Sequence, residues 1–294
     1  MIIFVQSIIN GILIGGVYAL VAMGLNLMFG VMKLVNFAHG EFLMTGMYIA
    51  VSLTALWMPS GYWGIYWVTV PTMLAMAVLG CVFYLILLRR AARFGAFPQM
   101  LLTFGLSIGL QGLAQVLRGS DFVLQRNPVN GSALRFSGLT IEVGPGIGFL
   151  TALIVAVAMG YVLHSTRWGK SARAVAENIE TAEMLGIDAR RVFVVATAIS
   201  VGLVGLTAAL LIPYHYTYPN VGQTFAMVAF LSIVIAGLGN VVGSIFGGLL
   251  MVIVQTMTAS YLDLDLSTAF IYVVFLAVLL LRPQGLFTRG RRVL

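Results

Sequence analysis

Apolar residues run through this chain in long stretches, and the polar residues between them mark where each stretch ends. Val5 to Leu25 comes first, and at 1.5 Å per residue it is long enough to cross a hydrocarbon core of ~30 Å. Phe42 to Trp57, Tyr66 to Leu88, a fourth span carrying Gln99 to Gln115, Gly148 to His164, Phe193 to Ile212, two segments within Gln223 to Tyr261, and Leu266 to Leu281 read as the rest. The pattern predicts an all-α polytopic membrane protein of roughly 8–9 transmembrane helices, entering from outside and ending inside. It is read as one membrane-embedded domain over 1–294, with an outer loop at 118–145 and a cytoplasmic loop at 165–191.

Two glycine-rich breaks interrupt the apolar pattern. In the first, Lys33, Asn36, His39 and Glu41 cluster around Gly40. Ionisable groups are costly in a bilayer and tend to face a cavity or a partner, so these residues are candidates for a translocation path. The competing reading makes them caps for a helix break near the cytoplasmic interface. The second break is GLGNVVGSIFGG, where Gly239, Gly243 and Gly247 stand four apart around Asn240. It is read as paired with the first in a duplicated architecture, and broken helices in matching halves point to a substrate site.

Along the fourth span, Gln99, Thr103, Ser107, Gln111 and Gln115 recur every four residues as a polar stripe. Such a stripe either binds neighbouring helices by hydrogen bonds or lines a water-filled path. The path candidates are therefore Asn36, His39, Glu41, Thr103, Ser107, Gln111 and Asn240. Gly11 and Gly15 in the first span have the spacing that lets a neighbouring helix pack closely.

One long polar run keeps a helix's apolar spacing: Trp168 to Val192. Val175, Ile179, Ala182 and Leu185 share a face opposite Arg173, Glu177 and Glu180. The spacing predicts a single helix over 171–185, roughly 22 Å long, with Ser171 as its N-cap and Gly186 as its left-handed terminator. Arg167, Lys170, Arg190 and Arg191 flank it, which puts it on the cytoplasmic side. A helix lying on lipid headgroups is one reading. Glu177, Glu180, Glu183 and Asp188 favour a docking helix for a soluble partner, because the inner leaflet is itself anionic.

Composition narrows the class. With 61% hydrophobic and 9% charged residues, the chain lacks the polar surface to cover a soluble globule. Its net charge of +7 does not mark a nucleic-acid binder, because the basic residues sit at the ends of apolar runs. Lys33, Arg89, Arg90, Arg93, Arg167, Lys170, Arg173, Arg190, Arg191, Arg282, Arg289, Arg291 and Arg292 fall in segments read as cytoplasmic, against Arg118, Arg126 and Arg135 outside. Trp57, Tyr62, Trp63, Tyr66 and Trp67 form an aromatic belt at the outer interface, and His215 is read as a headgroup-level side chain. No basic residue precedes Lys33, so the first run is expected to be a mature span rather than a signal peptide. The lone Cys81 suggests neither disulfide nor metal cluster, and no nucleophile or acid–base set can be assembled, so the chain is not expected to be an enzyme.

Four motifs, in order, resemble one family. Asn36, Phe37, Ala38, His39, Gly40, Glu41 and Phe42 match an early signature; then come G-K-x-x-R-A with E-N and A-x-x-L-G-I in the polar run, G-L-G-N-V-V-G-S, and a late R-P-Q-G-L-F. The family is that of permeases in branched-chain amino acid ABC importers. The resemblance implies that Arg173, Ala174, Glu177, Asn178, Ala182, Gly186 and Ile187 lie in a loop that fits a groove on an ATPase subunit. It further implies two ATPases inside, a second permease that is homologous or identical, a periplasmic or extracellular binding protein, and a bacterial cytoplasmic membrane. The chain has no G-x-x-x-x-G-K-[ST] loop, so ATP would be bound by the partners and the chain itself needs no cofactor. Relatives of the family carry branched-chain amino acids, urea, short amides or other carboxylates. An ion-coupled secondary transporter is the alternative, with only His39 and Glu41 near the required chemistry.

Overall fold

The computed structural model describes residues 2–57, 64–125, 132–136 and 138–287. Tyr62, Trp63, Arg126, Arg289, Arg291 and Arg292 lie outside the described residues. The helices are α1 (Ile2–Met32), α2 (His39–Trp57), α3 (Thr69–Phe83), α4 (Arg89–Ala91), α5 (Ala96–Arg118), α6 (Val143–Ser165), α7 (Arg167–Glu177), α8 (Ile179–Met184), α9 (Ala189–Leu211), α10 (Val221–Ala236), α11 (Gly243–Tyr261) and α12 (Leu264–Leu281). A π-helical turn at Tyr84–Leu88 joins α3 to α4. Seven of the described helical stretches are long and apolar enough to span a membrane, and Val221–Ala236 and Leu266–Leu281 are shorter apolar helices. Together these nine segments correspond to the nine apolar stretches read from the sequence.

Two of the helices form the centre. From Val17 to Met28 every residue of α1 is buried, and so is every residue of α9 from Ser200 to Leu211. A helix that is apolar all round belongs inside a bundle, and these two have no polar face to offer. Small residues let the neighbours close in. A Cβ on Gly11 or Gly15 of α1 would meet the backbone of α11 at Ile253 (2.8 Å) and Leu249 (3.1 Å). On the other side, a Cβ on Gly80 of α3 would lie 2.8 Å from the Thr197 carbonyl oxygen of α9.

The contacts repeat with the two halves exchanged. Helix α1 packs on α11 and α10, while α9 packs on α3 and α2. Each central helix is followed by a non-helical segment and then by a helix that starts inside the bundle. For α2, the His39 ring bonds the carbonyl of Val21, roughly 16 Å along α1 from its end at Met32. For α10, the Phe225 ring stacks on Tyr18, with centroids 4.5 Å apart. Gly40 and Gly222 mark the meeting of the two helix starts. Since α1 and α9 run in opposite directions through the bundle, α1–α2–α3–α5 and α9–α10–α11–α12 are inverted copies, with α6 to α8 inserted between them.

This corrects the sequence-level pairing of the breaks. The counterpart of the 33–38 break is the 212–220 segment, not the glycine-rich stretch at 237–242. In that segment Pro213 and Thr217 are buried, and His215 packs against Phe225 with centroids 5.2 Å apart.

The outer segment, expected as an irregular loop, contains a hairpin. β1 (Ala133–Phe136) and β2 (Leu139–Glu142) pair antiparallel, Ala133 opposite Glu142 and Phe136 opposite Leu139. Gln6 of α1 continues the ladder with its side-chain amide, donating to the Thr140 carbonyl at 2.7 Å and accepting its N–H at 2.8 Å. The fifth span begins at Val143 directly after β2, five residues before the expected Gly148.

The polar run also departs from expectation. Thr166, not Ser171, is the N-cap, its hydroxyl accepting from the Gly169 N–H at 3.1 Å. Ser171 stands inside α7 and donates to the Arg167 carbonyl. The single rod over 171–185 is two helices, because Asn178 adopts an extended conformation (φ −155°, ψ 115°) and caps α8 through the Thr181 N–H at 2.9 Å. Asn is a poor helix interior residue and a strong cap, so its side chain competes with the backbone here and wins. Gly186 does end the segment in the left-handed region (φ +81°). Its N–H bonds to Glu183 O and that of Ile187 to Ala182 O, the paired bonds of a Schellman end.

Candidate functional site

The first break begins where Lys33 takes a left-handed turn (φ +55°) after α1. Asn36 then folds its side-chain oxygen onto the Ala38 N–H (3.1 Å), and its carbonyl accepts the His39 N–H (3.3 Å). These bonds supply the turn that starts α2. His39 donates from Nε2 to the Val21 carbonyl at 3.0 Å, which fixes its tautomer on that side and ties α2 to α1. Both side chains are fully buried.

Glu41 follows in the first turn of α2, where a helix terminus favours negative charge. It is 1% exposed. One carboxylate oxygen accepts from the Ser107 hydroxyl at 3.4 Å, and the other accepts no hydrogen bond from the protein. The Nδ2 of Asn36 likewise has no protein partner.

The α5 stripe divides. Thr103 accepts the Phe37 N–H at 3.3 Å, Ser107 reaches Glu41, and Gln111 donates to Asn220 Oδ1 while accepting from Gln223 at 3.4 Å. Thr103, Ser107 and Gln111 therefore connect the start of α2 to the start of α10. Gln99 and Gln115 share no side-chain bond of this kind among the described residues. Arg118, at the outer end of α5, donates to Ser52 of α2. On the far side of α5, a Cβ at Gly105, Gly109 or Gly112 would meet nothing within 4 Å. The group formed by Glu41, Ser107, Gln111, Asn220 and Gln223 lies on the opposite side of α5 from these glycines and reaches the surface at Asn220 and Gln223, which are exposed.

Asn240 lies apart from this group. Its Oδ1 accepts the Gly243 N–H and its Nδ2 donates to the Phe287 carbonyl, both at 2.9 Å, so it holds the end of α12 against the start of α11. Its neighbour Asn26 was not singled out from the sequence. Asn26 is fully buried, donates to the carbonyls of Gly237 and Asn240 and to Ser244, and accepts the Gly239 N–H at 2.7 Å. Its signal was present as the one amide in an apolar run, Leu25-Asn26-Leu27. Asn220 and Gln223 were also missed, because their role exists only once α5 is folded against them.

At the end of the bundle carrying Lys33, Arg89 and Arg282, α7 borders a cleft of about 730 Å³ lined by Lys33, His164, Arg173, Glu177, Asn240 and Phe287 among others. Arg173 donates to the Leu163 carbonyl at the end of α6. Gly169 allows the sharp α6–α7 corner, since a Cβ there would lie 2.3 Å from Val162 O. Val175 and Ala182 are buried against the bundle, as their spacing predicts. Ile179 and Leu185, expected on the same face, are 46% and 76% exposed, and Met184 is 86% exposed. The kink at Asn178 turns α8 so that these apolar side chains face outward. Of the loop residues that the resemblance singles out, Arg173, Glu177, Asn178 and Gly186 are exposed, Ala174 and Ile187 half-buried, and Ala182 buried.

Comparison with known proteins places the chain among relatives. The family model described as branched-chain amino acid transport system / permease component matches residues 7–279. The high-affinity branched-chain amino acid transport system permease protein LivH of Salmonella typhimurium is 27% identical over 97% of this chain and 96% of its own length. BraD of Pseudomonas aeruginosa, a permease of the same description, is 25% identical over 97% and 96%. A more distant similarity, 26% identity over 48% of this chain and 44% of the relative, links it to the fructose import permease protein FrcC of Rhizobium meliloti. No solved structure matches the chain.

Proposed function

Because the chain belongs to the family of branched-chain amino acid transport system permease components, we propose that it is the membrane-spanning subunit of an ATP-driven importer in a bacterial cytoplasmic membrane. Its substrate is a branched-chain amino acid or a related small amide or carboxylate, the former being what LivH and BraD are named for. It works beside a second permease, identical or homologous, with two ATPases inside and a binding protein outside.

The observation that carries this reading is the outward-facing apolar ridge of Ile179, Met184 and Leu185 on a segment capped at every turn by Thr166, Asn178, Gly186 and Asp188. Exposed apolar side chains on a polar segment suit burial in a protein groove. The caps make the 165–191 segment stiff enough to pass on a push. Arg173, Ala174, Glu177, Asn178, Ala182, Gly186 and Ile187 are then the coupling residues, with Ala182 and Ile187 anchoring the ridge to the bundle. ATP-driven closure of the ATPases moves this segment against α6 and α9, and the inverted halves rearrange around the junction of α2 and α10. Asn36, His39, Glu41, Thr103, Ser107 and Gln111 belong to or support that path, and the uncovered α5 face is where the second permease packs. Asn240 acts instead as a brace at the inner end.

Vesicles containing the complete assembly test the proposal. With ATP supplied and ion gradients collapsed, uptake of L-leucine is expected to continue. Uptake that follows an ion gradient and ignores ATP would reject it in favour of secondary transport.

A further inference from the structure

Glu41 is a buried acid without a structural duty. The turn at the start of α2 is built by the Asn36 side chain and carbonyl, and the Ala38 carbonyl accepts the Phe42 N–H at 3.0 Å. The Glu41 carboxylate caps nothing in its own helix. It has no cation either: among the described residues, the ion pair is Asp188 with Arg191 at the inner surface. A carboxylate that is 1% exposed, holds one 3.4 Å bond from Ser107 and leaves its second oxygen without a protein partner is costly unless something else bonds it.

Its surroundings indicate what that is. Gly40 and Gly222 bring the N-termini of α2 and α10 into backbone contact beside Glu41, a Cβ on Gly222 lying 3.0 Å from the Glu41 nitrogen. The first-turn N–H groups of a helix carry partial positive charge and lack intrahelical acceptors. At α10 no side chain caps them, because Asn220 gives its Oδ1 to Gln111 instead, while the N–H groups of Val221 and Gln223 are held by the carbonyls of Tyr218 and Asn220. One negative group and one helix end without a side-chain cap therefore stand side by side, joined through Ser107, Gln111 and Gln223. That pairing is the complement of a zwitterion.

Resting on the importer reading, we propose that Glu41 receives the ammonium group of a transported α-amino acid while the N–H groups of Gly222 and Thr224 at the start of α10 receive its carboxylate. Ser107 then orients Glu41, and Gln111 and Gln223 close the polar end of the site.

The test uses the full assembly in vesicles with two readouts. A membrane-permeant carbodiimide labels buried carboxyl groups, and mass spectrometry follows the labelling of Glu41. Saturating L-leucine is expected to protect Glu41, whereas 4-methylpentanoate, which has the same carbon skeleton without the ammonium group, is not. Uptake of L-leucine per assembled complex is expected to fall about tenfold or more in Glu41→Gln, the loss of one charge-assisted bond, and to recover in part in Glu41→Asp. Equal labelling with and without leucine, or wild-type uptake by Glu41→Gln in an assembly whose wild-type form is ATP-driven, would overturn the assignment while leaving the importer reading standing. Loss of ATP dependence in the wild-type assembly would overturn the importer reading itself, and the protection assay still decides the Glu41 assignment.

Discussion

Gly40 and Gly222 face each other backbone to backbone: a Cβ built on either would stand 2.2 Å or 2.3 Å from the carbonyl oxygen of the other. The near-identity of the two distances reflects the inverted repeat, whose halves meet at this point. Neither glycine needs a positive φ; both are required only for space. Gly40→Ala and Gly222→Ala are each expected to destabilise the folded chain by about 1–3 kcal/mol through overpacking. Thermal unfolding in detergent measures this, and an unchanged Tm in both variants would contradict the close approach.

Asn26 supports the inner end in a different manner. Replacing it with leucine keeps the size but takes away the acceptor of the Gly239 N–H, while the Gly237 and Asn240 carbonyls keep the N–H groups of Asn240 and Ser244. An unsatisfied group costs about 1–3 kcal/mol, so Asn26→Leu is expected to lower stability on that scale. Asn26→Asp removes the donors as well and is expected to behave no better. Hydrogen exchange should locate the loss at 237–245, and protection there equal to wild type would count against it.

The apolar ridge on α8 makes a separable prediction. Met184→Glu and Leu185→Glu alter side chains that touch little of this chain, so the permease itself should fold normally. Association with the ATPases is expected to weaken by about 2 kcal/mol, the scale of a buried anchor at an interface. Co-purification of the ATPases at rising salt reads this directly. Retained association at every salt concentration would show that the ridge is not the contact.

On the outer side, the 119–125 segment is joined to 212–220 by reciprocal bonds between Val123 and Thr217 at 2.9 Å and 2.8 Å, and Phe122 packs on Tyr218 with centroids 4.7 Å apart. The segment that follows α5 is thereby attached to the segment that leads into α10. Phe122→Ala removes the aromatic contact, worth about 0.5–1.5 kcal/mol beyond its area, and is expected to lower uptake while leaving ATPase association intact. If uptake per complex were unaffected, the outer segment would have no part in controlling the α10 start.

Much of this architecture was legible in the sequence because the hydrophobic pattern of a membrane helix is long and redundant. The apolar runs, the stop at Arg89 and Arg90 and the glycine terminator at Gly186 each depend on local chemistry, and local chemistry can be read. The pairing of the breaks was not, since it depends on which helix starts meet in space, and the slight identity between the halves gave no register. Asn178 shows the intermediate case. Its side chain can join a helix or interrupt it, and the apolar spacing of Val175, Ile179, Ala182 and Leu185 favoured joining. The cap forms here, and Ile179 and Leu185 are left exposed. Asn220 and Gln223 lay within a loop of ordinary composition, and only the stripe on α5 gives them meaning.

The central claim is that the 165–191 segment is where ATP hydrolysis by partner subunits reaches this chain. A photo-crosslinking residue at position 184, in the assembled transporter within native membranes, tests it most directly. The account predicts a crosslink to an ATPase subunit whose yield changes when ATP is trapped. Crosslinking only to lipid, or accessibility of position 184 from the outer side of the membrane, would contradict it.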